Sequence, residues 1–140
     1  MFALKNNRAA SPELIQFAKY QIQEIIHSVR GVNFIMLCST DGFKLTAAYK
    51  KMWQIQTNTG KLAAVSSSIL AMVSAFMQEI HLNGCQSITL DAENGKAILT
   101  SVPSVNHPMI IIALAEKDIL LGQLLYMLKN ASNSIQQEAS

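Results

Sequence analysis

Two stretches of this chain, Val32 to Cys38 and Met109 to Ala115, are apolar on both faces of any strand they form. Strands of that kind belong at the centre of a sheet covered on both sides. Helices must therefore pack on each face, and the rest of the chain has to supply them.

The remaining segments do so in a regular order. Ser11-Pro12-Glu13 carries the marks of a helix start: a hydroxyl cap, a proline in the first turn and an acid at the positive end of the dipole. Leu14, Phe17, Ala18, Ile22, Ile25 and Val29 then recur at helical spacing, and Gly31 suits a left-handed cap. Ser39-Thr40-Asp41-Gly42 predicts a hairpin turn after the first strand. In the next strand Phe43, Leu45, Ala47 and Tyr49 alternate with Lys44, Thr46, Ala48 and Lys50. That pattern predicts one wet face and a place near the sheet edge. A long helix is predicted over residues 60–82, stopped by Asn83-Gly84. Cys85 to Leu90 reads as a short strand, residues 91–95 as a turn, and Lys96 to Val102 as a strand ended by Pro103. A last helix starts near Asp118 and runs past Leu128, with Leu121, Leu124, Leu125 and Leu128 as its stripe; from Ser132 a polar tail is expected to fray. The order is α-β-β-α-β-β-β-α. A single domain spans residues 11–131, between an N-terminal extension (1–10) and a polar C-terminal tail (132–140).

The long helix is the most informative element. Leu62, Val65, Ile69, Met72, Phe76 and Ile80 form a bulky stripe expected to pack on the sheet. Gly60, Ala64, Ser67, Ala71 and Ser74, with Ser68 and Ala75 beside them, form a second stripe of small residues. No charge lies between Leu62 and Gln78, whereas a solvent-facing helix surface normally carries Lys and Glu. Small side chains let two helices approach closely, and charge depletion marks interface cores. The expectation is that this stripe meets a second copy of the chain. The strand holding Ser87, Ile88, Thr89 and Leu90 joins it if it offers its edge across a two-fold axis. Composition agrees: half the residues are apolar and only 14% charged, a balance that leaves apolar surface to be covered by a partner.

The sequence argues against other classes. A net charge of +2 is too small to imply nucleic acid. The apolar stretch from Leu62 to Ile80 is broken by serines, Gln78 and Glu79, which argues against a membrane span. No leader segment is expected, because no apolar run follows the basic residues near the N-terminus. Cys38 and Cys85 lie in apolar runs without CxxC spacing, which fits a reducing cytoplasm. His27, His81 and His107 are scattered and lack metal-ligand spacing. No phosphate-binding or nucleophile motif occurs. The expectation is no catalytic residue, no metal and no cofactor. Lys44, Lys50, Lys51 and Lys61 have no acid among them, a pattern that fits a solvated loop face first and, with Trp53, a surface for an acidic protein partner second.

The segment Val32-Asn33-Phe34-Ile35-Met36-Leu37-Cys38 with its Ser39-Thr40-Asp41-Gly42 turn resembles the first hairpin of the roadblock/dynein light chain family. That family includes bacterial gliding-motility GTPase-regulating subunits. Lys61-Leu62-Ala63-Ala64-Val65 is similar to the opening of its central helix, and Gly95 to Leu99, Met109 to Ala115 and Leu121-Gly122 to its last strands and helix. The likeness covers residues 12 to 130. It implies an α/β (α+β) domain with a five-stranded antiparallel sheet of order 2-1-5-4-3, two helices on one face and the long helix on the other. It also implies dimers joined through the third strand and long helix. Members act as light chains, scaffolds or regulators of small GTPases. The bacterial subunits lend no arginine finger, and here no arginine lies between residues 31 and 140. The resemblance therefore implies a cytoplasmic, non-catalytic homodimer that binds a Ras-like small GTPase. The alternatives are a structural scaffold with no GTPase partner and a small-molecule sensor.

Overall fold

The computed structural model describes residues 10–50 and 58–140. The elements run α1 (Pro12–Ser28), β1 (Val32–Ser39), β2 (Lys44–Tyr49), α2 (Thr59–Glu79), β3 (Ser87–Ala92), β4 (Gly95–Val102), β5 (Met109–Ala115) and α3 (Leu121–Glu138). The five strands form one antiparallel sheet in the order β2-β1-β5-β4-β3. The two strands that are apolar on both faces, β1 and β5, pair with each other in the interior of the sheet. Their alternate side chains feed two separate cores.

One core lies beneath α1 and α3. Ile22, Ile25, Leu124 and Leu128 pack there on Ile35, Leu37, Ile98, Ile111 and Ala113. Ser11 caps α1, its hydroxyl accepting from the Leu14 amide at 3.1 Å. The second core lies beneath α2, where Ala63 meets Phe34, Met36, Cys38, Leu99, Ile110 and Ile112, with Leu62, Ile69 and Leu70 partly buried beside them. Asn58 caps α2, accepting from the Lys61 amide at 3.1 Å.

Four expectations change. The polar tail foreseen from Ser132 is helical to Glu138, and Ala131, Ser132 and Ile135 are buried. Leu124, Leu128, Ala131 and Ile135 follow one another at steps of four, three and four, so the apolar stripe outlasts the leucines. The wet face of β2 is also misassigned. Thr46 and Ala48 are buried while Tyr49, on the other face, is exposed. A register shift between Leu37 and Cys38, opposite the start of β2, breaks the simple alternation. The β3–β4 turn is tighter than five residues: Ala92 already pairs with Gly95, and Asp91 holds Lys96 across the strands at 2.7 Å. Finally, α2 ends earlier, at Glu79. The Leu82 amide bonds the Met77 carbonyl and the His81 amide that of Gln78, with His81 at φ 63°. This is the Schellman closure with histidine in the place usually taken by glycine.

By length and composition α2 is apolar enough to cross a membrane. Here its Ala63 and Ser66 are buried, and Ala63 packs on the sheet, so the helix is part of the domain.

Candidate docking face

The geometry of α2 differs most from the sequence expectation. Its bulky stripe is divided: Leu62 and Ile69 are partly buried against the core beneath the helix, and the other residues of the stripe face outward. Val65 is 44% exposed, Met72 69%, Phe76 63% and Ile80 48%. Only Ala63 and Ser66 of the whole helix are buried. Ala63 and Ser66 therefore make the closest approach to the sheet, with Leu62, Ile69 and Leu70 partly buried beside them, while Val65, Met72, Phe76 and Ile80 face outward. The small stripe is itself mostly outward, with Gly60, Ala64, Ser68, Ala71 and Ala75 exposed, so both stripes contribute to the outer face and their shared lack of charge leaves no contrast between them.

The reason lies in the β1–β2 hairpin. Gly42 sits at φ +94°, and a Cβ built there would come within 3.2 Å of the Ala64 Cα. The hairpin thus presses backbone against helix, and only small side chains fit between them. The Ser67 hydroxyl donates to the Thr40 carbonyl and fixes that contact. Ser67, expected at a dimer interface, is accordingly engaged by its own chain. Ala64 touches the same hairpin yet keeps an exposed flank.

The outward face of α2 is then a continuous strip. Ala64, Val65, Ser68, Ala71, Met72, Ala75 and Phe76 are all exposed and follow steps of three and four. The Ser68 hydroxyl folds back onto the Ala64 carbonyl at 3.2 Å and adds little polarity. Gly60 is exposed at the helix start, and Ser74 is half-buried. No charge interrupts the strip between Lys61 and Glu79.

The third strand lies at one edge of the sheet, paired only with β4. Ser87, Thr89 and Leu90 are exposed and Ile88 is half-buried. Ile88 stands opposite Leu99, which belongs to the core beneath α2. Opposed residues share a face, so Ile88 and Leu90 point to the α2 side. The apolar helix strip and an uncharged stretch of edge strand thus belong to the same side of the sheet. Of the lysines foreseen as a partner surface, Lys44 and Lys61 are exposed and Lys50 is half-buried. Lys44 and Lys50 flank β2 at opposite ends, about 20 Å apart at strand rise, so they do not form one cluster. Lys51 and Trp53 lie outside the described residues.

Titratable chemistry is sparse. Burial pushes the Cys38 thiol up to about 12, and burial raises that of Cys85 as well. The hydrogen bond from Lys96 holds the Asp91 carboxyl below the usual carboxylate range. Among the described residues no three His, Cys, Asp or Glu side chains gather as a metal site would require.

A sheet flanked by helices on both faces, one of which leaves an apolar flank beside an open edge, defines a small α/β domain with a candidate docking face. A family model for the Roadblock/LC7 domain matches residues 19–121, and the chain belongs to that family. Solved structures show the same fold at low identity. The gliding protein MglB of Thermus thermophilus superposes with a TM-score of 0.83 at 14% identity, covering 94% of each chain. An MglB described as having a tetrameric arrangement gives 0.83 at 14% identity, covering 94% of this chain and 93% of the other. A Roadblock/LC7 domain from Streptomyces avermitilis gives 0.74 at 11% identity, covering 86% and 95%. No curated protein sequence matches the chain.

Proposed function

We propose that the protein is a non-catalytic homodimeric adaptor that binds and modulates a Ras-like small GTPase in the cytoplasm. The observation that carries the self-association is the exposed, uncharged strip of α2 beside the open edge of β3. Two copies related by a two-fold axis would join their β3 edges and cover each other's α2 strips. Burying Met72 and Phe76 alone would contribute about 1.5–3 kcal/mol each, and an interface of roughly 1,000 Å² is within reach of a helix plus a strand. The tetrameric arrangement described for one MglB supports self-association as a habit of the fold. The GTPase half of the reading rests on the family resemblance, which implies light chains, scaffolds or regulators of small GTPases, and on the MglB structures that superpose on this chain.

Two measurements separate the halves. Light scattering should return a dimer at micromolar concentration for the native chain and a folded monomer for the double variant Met72→Glu, Phe76→Glu. A monomeric native chain would end the dimer reading. Affinity capture against small GTPases loaded with GTP or GDP tests the second half. Retention that differs between the two nucleotides supports a regulator; equal retention, or none, leaves the structural scaffold as the better description.

A further inference from the structure

On the side of the sheet away from the docking face, α3 does not reach over β3. Between them is a cleft of about 240 Å³ lined by Gln86, Ser87, Thr100, Leu125, Lys129 and Asn133, among others. Two hydrogen bonds hold its walls. The Ser132 hydroxyl donates to the Ser101 carbonyl at 2.7 Å and ties α3 to β4. The Ser101 hydroxyl donates to the Cys85 carbonyl at 2.7 Å and ties the segment before β3 to the same strand. The cleft is therefore bounded by three segments whose spacing is fixed in the folded chain, the condition that lets a small molecule bind without an ordering penalty.

The lining is chemically one-sided. Thr100 is 6% exposed, stands opposite Ser87 in the β3–β4 register, and its hydroxyl has no hydrogen-bond partner among the described residues. A buried hydroxyl without a partner is unfavourable and uncommon in native proteins. The amides of Gln86, Asn133 and Gln136 and the hydroxyl of Ser87 add neutral donors and acceptors. Among the described lining residues Lys129 alone is charged, and no carboxylate opposes it. Leu125, one helical turn from Lys129, and Pro103 supply an apolar patch. An ammonium, a set of neutral hydrogen-bonding groups and a short apolar wall match a small amphipathic anion. The volume lies just below the range of drug-sized pockets, so the ligand must be small.

We propose that this cleft between α3 and the β3–β4 edge binds a small organic monocarboxylate, with Lys129 facing the carboxylate, Asn133 and the Ser87–Thr100 hydroxyl pair completing its hydrogen bonds, and Leu125 against the apolar part. The site lies on the other face of the sheet from the docking strip, because Ser87 and Thr100 point to the side opposite Ile88 and Leu90.

The test uses the full chain, with butyrate as probe and butyramide as its uncharged counterpart, at constant ionic strength. Amide chemical shifts around Ser87, Thr100, Lys129 and Asn133 should move saturably with butyrate, at roughly millimolar affinity for so few atoms. Butyramide should bind about tenfold more weakly. Lys129→Gln should lose about tenfold for butyrate and little for butyramide, the signature of one charge contact. Thr100→Val, which keeps shape and removes the hydroxyl, should weaken both probes several-fold while the melting temperature holds or rises. Shifts that never saturate, a map centred elsewhere, or butyrate binding unchanged in Lys129→Gln would each overturn the proposal.

Discussion

The two faces of the sheet are built to different degrees of completeness. Beneath α1 and α3 the core is closed: Ala18, Ile22, Leu124, Leu128 and Ile135 are fully buried, and the helices touch each other as well as the strands. Beneath α2 the core is half a core. The helix contributes Ala63 and Ser66 to the interior and turns Val65, Met72 and Phe76 outward. Such a helix leaves an apolar outer face, Ala71 and Ala75 as well as Met72 and Phe76, that a second copy would cover in the proposed dimer. The closed face sets whether the domain folds; the open face is the candidate surface for a partner.

That contrast can be broken by experiment. The largest effect is expected from Leu124→Ala on the closed face, a loss of about 2–5 kcal/mol through lost burial and a residual cavity. It should appear in urea denaturation at every protein concentration. The same truncation at Phe76 should leave the dilute monomer within about 0.5 kcal/mol of the parent and act only where copies associate. An equal loss at Phe76 under dilute conditions would show that the open face is closed after all.

Next comes a pair that divides α2 itself. Ala71→Glu places a charge on the outer strip and should convert a dimer to a folded monomer, raising the dissociation constant by about a hundredfold, or roughly 3 kcal/mol. Ser67→Glu instead drives a charge against the Thr40 carbonyl and the Gly42 hairpin. It should lower the melting temperature of the protomer before it alters association. If both variants behave alike, the helix has been divided in the wrong place.

A smaller loss, about 1 kcal/mol, is expected for Ser132→Ala, which leaves the Ser101 carbonyl without its donor. Chemical denaturation measures it directly, and a neutral result would mean that the last turns of α3 are held by the apolar contacts of Ala131 and Ile135. Smallest is Asp91→Asn at the exposed β3–β4 turn. The Asp91 carboxyl is held below its ordinary range by Lys96, so its contribution is present above the unfolded pKa and fades as pH falls below about 4. Screening by solvent keeps it small. Parent and variant melting curves should differ slightly at neutral pH and converge as the pH falls into the acid range.

The amino-acid sequence by itself determined the central strands, the hairpin turns and the start of α1. It also marked α2 as uncharged, since periodicity and turn chemistry are local properties. It misread the end of α3 because the polar residues after Ser132 hid Ile135, whose spacing from Leu128 and Ala131 continued the stripe. Which side of α2 faces the sheet was decided only by the tertiary structure. A helix with no polar face offers no contrast to orient it. Its rotation is set by steric fit, the Gly42 backbone against Ala64 and the Ser67 hydroxyl against Thr40, between segments more than twenty residues apart. The cleft beside Thr100 is likewise beyond sequence reading, because its walls come from β3, β4 and α3 and meet only when the sheet has formed.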